Sequence, residues 1–210
     1  MKPQPSHSTR DAAVERLAVL VAVCGVVVFA VIVAGELAIN PSLDPARHEI
    51  SEYVHAQLGP LMTVGFVCWA ASLGAMSWVL FARADARLVA TCLGVASIGM
   101  LVTATFATQT SAGKLPPGVT LTTAGRLHDI GSGLATVALL LAALLSLRCL
   151  GGRRFRRQVA ALLVVLTSSD IVLLVIGPEV AGVRQRVVVA GACVWQLLLL
   201  GAVRASLHRS

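Results

Sequence analysis

Nine residues, Arg47-His48-Glu49-Ile50-Ser51-Glu52-Tyr53-Val54-His55, put two histidines, a serine and two glutamates into the most polar run of an otherwise strongly apolar chain. A second group, Gly125-Arg126-Leu127-His128-Asp129-Ile130-Gly131-Ser132, adds another histidine and acid, with Ser132 one helical turn after His128. Three chemistries are open to these residues. His48, His55 and His128 could hold a zinc ion and a water, as in a hydrolase with three protein ligands. His48 and His55 lie two helical turns apart, however, not the single turn that chelates well, so our reading is no metal site, with these histidines as the only alternative. In the second chemistry His48, Ser51, Glu52, His128 and Asp129 form an acid/base cluster acting on a lipid-type substrate. In the third, Arg126, Arg184 and Arg186 pair with Glu52, Asp129 and Glu179 and tie helices and loops together.

Other polar residues fall near the same end of the apolar segments. Glu36 closes the first segment and Asp170 lies inside the fifth. An acid at membrane depth turns inward and keeps a partner or a proton. For Asp170 we expect a protonated acid bonded to Thr167 or a neighbouring helix, ahead of a proton relay. Glu36, His55, Arg126, Asp170, Gln185 and Arg186 form a candidate binding pocket around the acid/base cluster. Nothing in the sequence specifies a cofactor.

The elements that must position these residues follow from composition. The 210 residues are 57% hydrophobic and 13% charged, and the mean hydropathy is +0.84. These values exclude an ordinary soluble domain and imply an integral membrane protein. Six apolar segments, at about 17–39, 60–82, 88–108, 128–148, 159–177 and 187–206, meet the roughly 20 residues that a bilayer-spanning helix needs. The expected fold is all-α, a polytopic six-span bundle with 1–16 and 207–210 as cytoplasmic tails. Lys2, Arg10, Arg16, Arg83, Arg87, the arginines of Gly151-Gly152-Arg153-Arg154-Phe155-Arg156-Arg157 and their neighbours bring twelve basic residues to one set of alternate loops, against five in the other. That bias places both termini in the cytoplasm and Arg47–His55 outside. The net charge of +7 therefore follows topology, and basic residues lack the interleaved aromatics of a nucleic-acid surface.

Asp44-Pro45 is a good helix start. A helix over 45–57 would gather His48, Ser51, Glu52 and His55 on one stripe, with Ala46, Ile50, Tyr53 and Val54 opposite: a short amphipathic outer helix, facing either water or a cavity. Short second and fourth loops suggest antiparallel hairpins, and residues 109–125 read as a loop of mixed order. Trp69, Trp78 and Trp195 are bundle or interfacial-belt residues. The five cysteines have no framework spacing. "RHEIS" and "LHDIGS" form a brief internal echo.

The stretches "DPARHEISEYVHAQLGPLMTVGFVCWAASLG", "GMLVTATFATQT", "LHDIGSGLATVALLLAAL" and "GVRQRVVVAGACVWQLLLLGAVR", in this order, resemble domain-of-unknown-function family 998, prokaryotic six-helix membrane proteins. The resemblance covers about 17–206. It implies the fold and marks His48, Ser51, His128 and the Gln185-Arg186 pair as family-like positions, and it implies no activity. Where relatives carry a Phe-Pro-Thr-Asp type motif, this chain has Phe106-Ala107-Thr108-Gln109, which removes the acid a cation would use. The expectation is a multi-pass protein of a bacterial cytoplasmic membrane, with an outward polar pocket that binds or moves a lipid or small amphiphile. The alternatives are an intramembrane hydrolase or transferase on lipid, and an assembly partner of another membrane protein or of its own copies.

Overall fold

The structure is a computed structural model that describes residues 9–207. Residues 1–8 and 208–210 of the expected tails, with Lys2 and Arg209, lie outside the described residues. Six helices carry the fold: α1 (Thr9–Ile39), α2 (Pro60–Phe81), α3 (Arg87–Thr105), α4 (Thr123–Cys149), α5 (Arg153–Ile176) and α6 (Ala181–Leu207). Each is long and apolar enough to cross a membrane. In lipid a helix is the form that closes backbone hydrogen bonds within its own segment. The all-α, six-span expectation holds, and no strand occurs among the described residues.

Helix ends differ from the hydropathy reading where polar residues begin a helix. α4 starts at Thr123, since Thr122 Oγ1 accepts the Gly125 N–H at 3.3 Å and caps it. α5 starts at Arg153 and α6 at Ala181, earlier than the expected 159 and 187. Polar first turns carry no apolar signal, yet their backbone bonds are as good as those further in.

α1 packs on α2, α2 on α3 and α3 on α4. Small residues set the α3–α4 spacing: a Cβ on Gly99 would lie 2.7 Å from the Gly131 carbonyl oxygen. The two backbones therefore meet directly. Phe29 stacks on Trp69 with centroids 4.5 Å apart. A buried polar chain ties in α6: Trp69 Nε1 donates to Gln196 Oε1 (3.0 Å), Gln196 Nε2 to Ser72 Oγ (2.6 Å), and the Ser72 hydroxyl to the Ala22 carbonyl. Trp195 Nε1 donates to Ser146 Oγ at 3.3 Å, linking α6 to α4. Trp69 and Trp195 are thus bundle residues, and Trp78 is exposed on the bundle surface.

The hairpin expectation holds for α2 and α3 and fails for α4 and α5. α5 buries only Phe155 and Val159 and leans on α6, with little contact to α4.

The continuous helix expected over 45–57 is also corrected. Residues 45–48 form a turn, and a short 3₁₀ helix follows at Ile50–His55. The reason lies in α6, whose first turns take the backbone groups a continuous helix would pair internally. The Ala46 carbonyl accepts from the Val183 N–H (3.2 Å), the Ile50 N–H donates to Gln185 Oε1 (2.5 Å), and Arg186 Nη1 donates to the carbonyls of Pro45 (2.8 Å) and His48 (2.6 Å). Asn40 clamps both ends of the segment: its Nδ2 donates to Glu36 Oε2 (2.7 Å), and its Oδ1 accepts the Gln57 N–H (2.9 Å). Residues 40–59 are therefore a cap seated on α6, with Ile50, Ser51, Glu52 and Tyr53 all buried. The apolar and polar residues do not separate onto two faces.

Candidate functional site

Beneath the cap lies a cavity of about 570 Å³, bounded by the cap and by α2 to α6, within the range of about 300–1,000 Å³ for small-molecule sites. Its lining is graded along the helix axes. At the cap end it carries Glu49, Ser51, Thr103, His128, Ser132, Thr136, Asp170, Arg184 and Gln185. At the other end it carries Ala143, Val159, Leu162 and Trp195. Antiparallel helices produce this gradient: α4 and α6 run away from the cap and begin polar, whereas α5 runs towards it and turns polar at Thr167 and Asp170.

His128 is 4% exposed. Its Nδ1 lies 2.7 Å from the Phe106 carbonyl oxygen and 3.2 Å from that of Thr103. Two acceptors at one nitrogen assign the proton to Nδ1, so in the neutral ring Nε2 is an acceptor. Nε2 has no protein partner among the described residues. Ser51, also 4% exposed, lines the same end and makes no side-chain hydrogen bond among the described residues. On α4, His128, Ser132 and Thr136 form a polar ladder at four-residue intervals along the cavity wall.

Asp170 is an ion-pair partner and is not bonded to Thr167: Arg184 Nε donates to its Oδ1 at 2.6 Å. The neighbouring-helix alternative is therefore the one found, with a guanidinium of α6 as the partner. The expected ion pairs of Arg126, Arg184 and Arg186 with Glu52, Asp129 and Glu179 are replaced. Glu179 pairs with Arg47 at 2.9 Å. Arg186 holds the Pro45, His48 and Gly182 carbonyls, donates from Nη2 to Tyr53 Oη (3.1 Å) and lies 5.4 Å over the Tyr53 ring. Glu52 accepts the Ala112 (2.9 Å) and Gly113 (3.0 Å) N–H groups. Those two residues turn through positive φ of 51° and 70°, and their paired N–H groups form an anion-holding nest. The 107–122 loop is fixed a second time by Gln109 Oε1, which accepts from the Thr122 N–H at 2.7 Å.

Of the candidate residues, the structure thus brings Ser51, His128, Asp170 and Gln185 to the cavity. His48 Nδ1 is 3.1 Å from the Asp44 carbonyl oxygen and His55 Nε2 is 2.8 Å from that of Thr108. Arg126 and Asp129 are exposed on α4, and Glu36 is buried beside Asn40. Glu36, His48, Glu52, His55, Arg126, Asp129 and Arg186 are not among the lining residues. The three histidines serve separate backbone carbonyls, and no group of three His, Cys, Asp or Glu placed to hold a metal occurs among the described residues. The "RHEIS" and "LHDIGS" echo has no structural counterpart: Ile50 is buried in the cap and Ile130 is exposed on α4.

Glu49 was legible only as part of the polar run, off the predicted stripe, yet it lines the cavity. Burial raises its pKa above the usual glutamate range, and the charges of Glu52 and Asp129 add to the rise, while Arg184 opposes it. Burial likewise raises the Tyr53 phenol, against the stabilising charge of Arg186.

A membrane helix bundle with a capped, graded cavity defines the class of protein. The particular family is given by the match of residues 22–202 to the family described as "Protein of unknown function (DUF998)", to which the chain belongs. No curated protein and no solved structure matches the chain.

Proposed function

We propose that this protein binds or moves a lipid or small amphiphile, with the head beneath the cap and the tail along the apolar floor. The observation that carries this reading is the gradient of the cavity lining, from Glu49, Ser51 and His128 at one end to Leu162 and Trp195 at the other. An amphiphile matches such a gradient because its apolar part gains from burial and its head keeps polar partners. The sparse packing of α5 against α4 supports entry of the tail from the bilayer. The charge bias of the loops supports a bacterial cytoplasmic membrane with the cap outward.

Native mass spectrometry of protein released from mild detergent tests the proposal. We expect an amphiphile-sized adduct on the wild type and its loss from Ala143→Phe, which fills the apolar end. Equal adducts on both proteins would refute the cavity as the site. A second reading, a hydrolase or transferase acting on lipid, is supported by His128, whose Nδ1–H is held by carbonyls while Nε2 is left as an acceptor, the arrangement of a general base. A released acyl or head group in incubations with wild type and not His128→Ala would favour it.

A further inference from the structure

Every ionisable group lining the cavity can be given a partner except at one place. Asp170 and Arg184 neutralise each other across α5 and α6. Arg186, the other cation of this end, is turned into the cap and holds backbone carbonyls and Tyr53. That leaves Glu49 as the one lining acid with no ion-pair partner among the described residues. The groups facing Glu49 deepen the field: Glu52 from the cap and Asp129 from α4 are acidic, and Arg184 from α6 is the single opposing charge, already shared with Asp170.

Hydrogen-bonding capacity points the same way. His128 presents Nε2, an acceptor once Nδ1 carries the proton, and Ser51 presents a free hydroxyl. Both side chains are more than nine-tenths buried and without a partner at those atoms among the described residues. Both residues line the cavity, so a head group that supplies N–H donors meets two acceptors at once. A phosphate or sulfate head would sit beside Glu49 and compete with Asp170 for Arg184. A quaternary ammonium would answer the charge and leave the acceptors unmet.

We propose that the cavity selects amphiphiles with a protonated amine head, Glu49 supplying the counter-charge and His128 Nε2 and the Ser51 hydroxyl accepting the N–H bonds. This assignment rests on the amphiphile reading and names its ligand class. The raised Glu49 carboxyl supports it: partial burial disfavours the charged form, and an ammonium head offsets that cost. Occupancy by amines therefore strengthens as pH rises through the Glu49 titration.

The test uses the full chain in phosphatidylcholine nanodiscs, titrated at low mole fraction with dodecylamine, dodecyltrimethylammonium, dodecyl sulfate and dodecanol. Bound probe is read by native mass spectrometry. We expect the amine to bind roughly 10- to 100-fold tighter than the sulfate or the quaternary ammonium, the range for one charge-assisted hydrogen bond. Glu49→Gln, monodisperse and with unchanged helicity, loses that preference, and Ser51→Ala reduces it. Asp85→Asn, at the opposite end of the bundle, retains it. If all four chains bind alike, the amine assignment fails and the amphiphile reading stands. If none binds, both fail. Equal binding of the amine and the quaternary ammonium overturns His128 and Ser51 as the selecting acceptors, and with them the proposal.

Discussion

Arg186 joins the cap to the bundle, and its replacement has a consequence that can be sized from the geometry. In Arg186→Met the Pro45 and His48 carbonyls lose donors at 2.8 and 2.6 Å, and Tyr53 Oη loses one at 3.1 Å. The Pro45 bond is exposed, so water replaces it at little cost, whereas the His48 and Tyr53 bonds are partly buried. A charge-assisted bond contributes about 1.5–3 kcal/mol, so local opening of the cap becomes easier by about 2–3 kcal/mol. At 1.4 kcal/mol per factor of ten, amide exchange across 45–59 accelerates by roughly 30- to 140-fold. Hydrogen–deuterium exchange in nanodiscs reads this directly, with the buried Trp69–Gln196–Ser72 chain as the region that stays protected. Arg186→Lys keeps the charge and loses the fork that reaches two carbonyls and a phenol, so it behaves nearly as the methionine variant does. If both variants leave cap exchange unchanged, Arg186 is not the cap's clamp. The α6 contacts would then not explain why residues 45–57 depart from a continuous helix.

Three further outcomes follow from the same geometry. Gly182→Leu places a Cβ about 2.5 Å from the Pro45 carbonyl oxygen, so the cap lifts, and 45–59 becomes protease-accessible while the spans remain protected. Asp170→Asn and Arg184→Leu couple by about 0.5–1 kcal/mol in a double-mutant cycle of detergent stability, since the pair is 37% and 45% exposed; zero coupling would show the pair to be incidental. Glu49 has a raised pKa, so between 4.5 and its higher folded value the native state holds more proton than the unfolded chain, and stability falls as pH rises through that window. Glu49→Gln flattens this slope and melts higher at neutral pH, which melting curves from pH about 4 to about 8 will detect.

Hydropathy made all six spans legible, because lipid exposure demands continuous apolar runs and leaves little for tertiary context to overrule. The starts of α5 and α6 were not, since Arg153 and the residues after Ala181 carry no apolar signal. The cap was the main departure. Local cues at Asp44-Pro45 favour a helix, and the turn does form, with the Ala46 N–H on Asp44 Oδ1 at 2.9 Å. Beyond it, Gln185 and Arg186, which lie more than a hundred residues away, redirect the backbone. Part of the site was visible: Ser51, His128, Asp170 and Gln185 were singled out by type and neighbourhood, and all four line the cavity. Glu49 was missed because the wheel assumed a continuous helix. Glu52 was misread because its partners are backbone N–H groups of a distant loop, which no pattern of charged residues can reveal.

The central claim, an acyl chain lying in the cavity, is tested most directly by fluorescence quenching in Trp78→Phe, which leaves Trp69 and Trp195 as the tryptophans, both lining the cavity. Amphiphiles brominated at the tail end should quench this emission more strongly than the same molecules brominated near the head, and Ala143→Phe should abolish the difference. Quenching that does not depend on bromine position, or that persists unchanged in Ala143→Phe, would contradict a chain seated between α4, α5 and α6 with its head beneath the cap.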